Sequence, residues 1–152
     1  MLRPQLSQSL KDAMRAKDTQ AVSTVRLILA ALKDRDIAAR ADGNSDGVSD
    51  DEILQLLQKM IKQRHESIKM YEEGGRVELA AQEQSEIEII NRFLPQQLSD
   101  AEVAAEVEKV ISEIGASSVK DMGRLMGELR GRYAGQMDFG KASGIAKARL
   151  ME

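Results

Sequence analysis

Apolar residues in this 152-residue chain recur at intervals of three and four, and no segment alternates convincingly like a half-buried strand. That spacing collects them on one face of a helix turning about 100° per residue, so the chain is predicted to be all-α. The first helix starts near Pro4, a residue suited to a first helical turn, and carries Leu6, Leu10 and Met14. Asp18 or Thr19 caps a second, striped by Val22, Val25, Leu29 and Leu32 and fading at Arg40. Asp42-Gly43-Asn44-Ser45-Asp46-Gly47 is a polar loop. It lacks the ordered carboxylates and closing glutamate of a calcium loop. Ser49 with Glu52 forms a capping box, opening a long helix with Ile53, Leu57, Met60, Ile61, Ile68 and Tyr71 on its apolar side. Gly74-Gly75 ends it. A further helix from Val77 carries Leu79, Ile87, Ile90 and Leu94, and two helices across such a break form an antiparallel hairpin.

Pro95 stops that arm, because the residue before a proline is pushed out of the α region. Pro95-Gln96-Gln97-Leu98 is the best boundary in the chain. The expected organisation is a helical body with a long hairpin over residues 1–94 and a small three-helix domain over 99–152. Ser99 with Glu102 opens the first tail helix, which carries Val103, Val107, Val110, Ile111 and Ile114 and closes at Gly115. Ser118 with Asp121 resembles a weaker box and opens a methionine- and glycine-rich helix. Asp138 caps the last, with Phe139, Ala142, Ala146 and Leu150.

This length suits one ordinary domain or two small ones. The absence of cysteine excludes disulfides and thiolate metal sites. The longest apolar run, 27–32, is far short of a membrane span, and no apolar stretch follows Arg3 as a secretory leader would require; the expected location is the cytoplasm. Aromatic residues at 3% argue against stacking platforms for single-stranded nucleic acid. The net charge of −3 conceals an asymmetry: residues 115–151 carry +4 and residues 1–114 carry −6.

The chain offers little catalytic chemistry. His65 is the only histidine and sits mid-helix, so hydroxyl- or thiol-based triads and histidine-rich metal sites have no partner. Glu83, Glu86 and Glu88 read as a solvated helix face. Gly135 to Lys141 match the first seven positions of a phosphate-binding P-loop, but Ala142 takes the place of the magnesium-binding hydroxyl and no strand precedes it. Helix capping accounts for Ser117 and Ser118 beside Lys120. No catalytic residue, cofactor or metal is expected.

The methionine- and glycine-rich helix is the most informative segment. Met122, Leu125, Met126, Leu129 and Tyr133 share one face, and Lys120, Arg124, Gly127 and Gly131 share the opposite one. Glycine inside a helix costs about 1 kcal/mol against alanine, so something comes close to the backbone there. Two occupants fit: an RNA sugar-phosphate backbone, or a tightly packed second helix. On the first, the candidate RNA-binding residues are Lys120, Arg124, Gly127, Arg130, Gly131, Arg132, Lys141 and Lys147.

Several stretches in order resemble the YqeY family, which shares a module with the tail of GatB, the B subunit of tRNA-dependent amidotransferase. They are Arg26-Leu27 with Ala30-Ala31-Leu32-Lys33, Ile61-Lys62-Gln63-Arg64 with Ser67, and Tyr71-Glu72-Glu73-Gly74-Gly75-Arg76 with Leu79. Glu83, Glu86 and Phe93-Leu94-Pro95-Gln96-Gln97-Leu98 follow. In the tail they are Lys120-Asp121-Met122-Gly123, Met126-Gly127, Gly135, Asp138, Lys141 and Lys147. Gln136 departs from the arginine common there in the family. The resemblance implies a two-part all-helical fold and a tail that recognises tRNA without performing the chemistry. The expected function is a noncatalytic accessory protein binding tRNA or structured RNA. The alternatives are a protein-interaction adaptor working through the 49–94 hairpin, or a subunit associated with glutamine-dependent carbon–nitrogen ligase activity.

Overall fold

Seven α-helices and one 3-10 turn make up the regular structure of the described residues, 1–151, in a computed structural model. They are α1 (Leu2–Arg15), α2 (Thr19–Ala41), α3 (Asp50–Glu73), α4 (Val77–Asn91), α5 (Asp100–Ile114), the turn Val119–Asp121, α6 (Met122–Tyr133) and α7 (Phe139–Leu150). The all-α expectation holds, and the caps explain where the helices begin. Asp18 accepts from the Ala21 N–H at 3.1 Å, and Ser49 accepts from that of Glu52 at 3.3 Å. Ser99 and Glu102 exchange a reciprocal pair of 3.1 and 3.0 Å, satisfying donors a helix start leaves orphaned. The chain divides into two units, Met1–Leu94 and the residues from Pro95 onward.

In unit 1 the α3–α4 hairpin is antiparallel about Gly74-Gly75. Arg64 on α3 reaches Glu83 and Glu86 on α4, positions nearly symmetric about that turn. The core collects Leu6, Ile28, Ile53, Leu57 and Ile90, with Ala13, Ala21, Val25 and Ile89 in a second cluster. Ala13 takes the buried place expected of Met14, which is 51% exposed. The fully buried part of α3 ends at Met60; beyond it Ile61, Ile68 and Tyr71 are only half-buried.

Glu86 corrects the solvated-face expectation for the acids of α4. It is 8% exposed and accepts from Arg64 Nε at 3.0 Å. Arg64 Nη1 donates to the Met60 carbonyl at 3.1 Å. A buried carboxylate without such a partner would be strongly destabilising. Glu83, 3.9 Å from the same guanidinium, is pushed above the usual carboxylate range by burial and then by the neighbouring Glu86 charge.

A second polar link joins three segments far apart in sequence. Arg3 donates to both oxygens of Asp36 at 2.7 Å and to the Val48 carbonyl at 3.0 Å, and Asp36 accepts the Val48 N–H at 3.0 Å. This fork ties the start of α1 to the end of α2 and to the approach to α3. Gly47, at φ +87°, lies directly beside it. A Cβ there would sit 2.8 Å from Arg3 Nη2 and 2.9 Å from Asp36 Oδ1.

Two outcomes follow from this link. Gly47→Ala combines left-handed strain with displacement of the fork and lowers stability by about 2 kcal/mol, read from urea unfolding followed by circular dichroism. The Arg3 guanidinium, and next the Val48 N–H, hold the Asp36 carboxyl down to about 2. A depressed carboxyl stabilises fully above its unfolded pKa, near 4, and loses that contribution as pH falls toward 2. Asp36→Asn is therefore less stable than wild type at pH 7, and the gap narrows between pH 4 and pH 2.

Candidate nucleic-acid interface

Unit 2 positions its surface by burying the other side of each helix. Val103, Val107, Val110 and Ile111 of α5 pack with Leu125, Met126 and Leu129 of α6, with Met137, and with Ala142, Ala146 and Leu150 of α7. Leu98 N–H donates to the Gln136 carbonyl at 2.8 Å, and the Gln97 side chain donates to that of Gly135. These bonds tie the segment entering α5 to the link between α6 and α7. Tyr133 donates its hydroxyl to Glu106.

With the methionine and leucine side of α6 in the core, Gly123, Gly127 and Gly131 face outward. A Cβ built on any of the three meets nothing within 4 Å. The glycines therefore accommodate no helix of the described structure. The row begins at Gly123, one turn ahead of the two glycines singled out in the sequence, and its spacing of four residues is visible there.

The cations divide into three groups. Lys120, Arg124 and Arg130 are exposed; Arg124 and Arg130 border the glycine row on α6, and Lys120 lies in the turn just ahead of it. Lys120 sits in the 3-10 turn and makes no ion pair with a described residue. Arg124 lies 3.4 Å from Asp121. That carboxylate already accepts the N–H groups of Ser117 and Ser118 at 2.8 and 3.2 Å, and these bonds lower its pKa, with a smaller contribution from Arg124. The Arg130 guanidinium lies 5.9 Å from the centre of the Phe139 ring, in cation–π range, and so links the α6 face to the start of α7. Arg132 points elsewhere: it holds Glu113 and, at 3.1 Å, Glu128. Lys141 and Lys147 lie on α7. Lys141 is 3.7 Å from Asp100, and Lys147 is exposed without an ion pair to a described residue. Asp138 caps α7 through the N–H groups of Gly140 and Lys141 at 2.8 and 3.3 Å. That segment is thus a helix start preceded by a turn, where a P-loop would have a strand.

Residues 3–150 match a family model described as YqeY, Yqey-like protein. The chain belongs to the YqeY family. Three relatives share the name "Altered inheritance of mitochondria protein 41, mitochondrial". The one from Lachancea thermotolerans is 34% identical over 115 residues, 74% of this chain and 59% of its own length. That of Vanderwaltozyma polyspora is 31% identical over 123 residues, 77% and 64%. A Saccharomyces cerevisiae relative is 36% identical over 93 residues, 60% and 47%. This YqeY-family chain thus spans less than two thirds of the length of the curated relatives it matches. Their names correct the cytoplasmic expectation, since each is a mitochondrial protein by name. The physical reason is plain: a cysteine-free chain with no long apolar run suits any reducing aqueous compartment, and composition does not separate one from another.

The open glycines make a stability forecast specific. Gly123→Ala, Gly127→Ala and Gly131→Ala each stabilise unit 2 by about 0.5–1 kcal/mol, because the added methyl meets no neighbour. A rise in thermal midpoint for each variant, additive in the triple, is the expected result.

Proposed function

We propose that this YqeY-family protein is a noncatalytic accessory protein that binds tRNA or another structured RNA through the outer face of α6. One observation carries the proposal: three solvent-open glycines in one row, bordered by Arg124 and Arg130, with Lys120 in the turn just ahead. A phosphate backbone laid along that row approaches the helix without meeting a side chain, while the flanking cations contact its oxygens. Duplex-like RNA presents shape and phosphates more than base edges, which suits a face with cations and no base-reading side chain between them. Lys147 and Lys141 on α7 extend the contact. Arg132, held between two carboxylates, contributes least. The connection to tRNA-dependent amidation rests on the resemblance of the tail alone.

Filter retention of tRNA at 50 and 200 mM salt tests the proposal. Wild type binds at micromolar concentration in low salt and weakens steeply as salt rises. The Lys120→Ala/Arg124→Ala variant weakens binding and reduces the salt slope by about 2, one for each phosphate no longer neutralised. The triple glycine-to-alanine variant binds less tightly although it is the more stable protein, which separates an obstructed surface from impaired folding. Absence of retention at micromolar protein in low salt, or an unchanged affinity in the double variant, refutes it.

A further inference from the structure

Unit 1 carries a surface that the RNA proposal does not use. An open hollow of about 860 Å³ is lined by Met14, Val22 and Leu27 together with Lys17 and Arg26, and no acid lines it. Met14 and Leu27 are 51% and 45% exposed, large for apolar side chains. Leu27 also lines a second hollow, about 390 Å³, between α2 and α3, where the charged lining is mixed: Asp34 with Arg35, Lys59 and Arg64. Neither Lys17 nor Arg26 makes an ion pair with a described residue. Lys17 stands at φ +56°. Its N–H donates to the Met14 carbonyl at 3.2 Å, and that of Asp18 donates to Ala13 at 3.0 Å, closing α1 in a Schellman turn. Glycine is the usual residue at such a position. The lysine there is less favoured by the backbone than glycine, and it stands on the rim of the hollow.

The opposite end of the same unit carries the complement. The tip of the α3–α4 hairpin exposes Met70 and Val77, at 71% and 69%. Around them the exposed acids Glu66, Glu72, Glu73 and Glu78 outnumber Lys69 and Arg76, and Arg76 is already 3.5 Å from Glu78. The tip is apolar and acidic where the hollow is apolar and basic.

We propose that the hollow receives the hairpin tip of a second copy of this chain, in a two-fold dimer. The placement favours a second copy over a foreign partner. Val22, on the wall of the hollow, packs on the cluster that contains Ile89, near the base of α4. The tip lies at the far end, about 18 Å of helix from Ile89 to Val77. Socket and plug therefore lie toward opposite ends of α4 within unit 1. Two copies of unit 1 related by a two-fold axis would pair each tip with the other copy's hollow and close the assembly, as an isologous interface requires.

Sedimentation velocity on the RNA-free 152-residue chain, from about 1 to 200 μM, tests this against the affinity scale of a modest dimer. Two charge reversals are used, Lys17→Glu/Arg26→Glu in the hollow and Glu72→Lys/Glu73→Lys at the tip. Both sets are exposed, and circular dichroism verifies that each variant is folded. Wild type dimerises within the range, and each reversal weakens it by about tenfold or more through like-charge contact. An equimolar mixture of the two reversed proteins forms a heterodimer, because each tip then meets a hollow of opposite sign. Lys17→Gly relaxes the turn, raises the melting temperature and still weakens dimerisation. A wild type that stays monomeric at 200 μM, reversals without effect, or a mixture that stays monomeric each overturns the proposal and leaves the hollow to a different protein.

Discussion

The antiparallel pairing of α3 with α4 is the constraint on which unit 1 depends. The two helices run back along one another from Gly74-Gly75, and α2 packs on α4 with α1 on α2. An apolar seam alone tolerates sliding by a turn, because Ile and Leu at three- and four-residue spacing offer several near-equivalent registers. Arg64 removes that freedom. Its guanidinium meets Glu86 at 3.0 Å in a buried position. A shift of α4 by one turn would leave Glu86 among aliphatic side chains without a donor, a cost well above that of repacking a methyl group. The pair therefore disfavours a slipped register of α4 on α3. Glu83 on the same cation, with its carboxyl pushed up, shows that the site holds more acid than one guanidinium satisfies.

Unit 2 solves packing differently. Its core is aliphatic, and α7 offers Ala142 and Ala146 where α3 and α4 offer leucine and isoleucine. Small residues on the inner side let short helices approach closely with little side-chain entropy lost. The outer side of α6 then stands out, because Gly123, Gly127 and Gly131 add nothing to that packing. Their cost in helix propensity falls where the fold gains no return, which is the pattern expected of a surface shaped for a ligand.

The parts legible in the sequence were those set by neighbours. Ser49 with Glu52 and Ser99 with Glu102 marked two helix starts because a cap is satisfied within four residues. Gly74-Gly75 marked the hairpin for the same reason. What escaped was set across distance: Arg3 with Asp36 and Val48, Arg64 with Glu86, and Arg132 with Glu113 each join residues that periodicity treats as unrelated. Helical phase placed Glu86 beside Glu83 and Glu88 as a polar face, and nothing local showed that Arg64 would arrive from another helix. Lys120 and Arg124 could be placed beside the α6 glycines from phase alone. The diversion of Arg132 into an ion pair depended on where α5 lies.

That diversion changes what the charge asymmetry means. A formal +4 over residues 115–151 suggests a broad positive field, yet Arg124, Arg132, Lys141 and Arg149 each have a carboxylate within 4 Å. Paired surface charges cancel beyond a Debye length of about 8–10 Å, so long-range steering of a polyanion toward unit 2 is weak. What remains is local: Lys120 in the turn before α6, Arg130 on α6 and Lys147 on α7. With few free cations, the proposed recognition of a phosphate backbone would have to gain from close approach, where oxygen–nitrogen separations near 3 Å and partial exclusion of water strengthen each contact. Side chains along the row would hold the backbone off by a few ångströms and forfeit that gain. If the proposed RNA contact is made, the glycines and the sparse charge are two parts of one requirement, since a face with this few free cations needs an unobstructed surface for them to act.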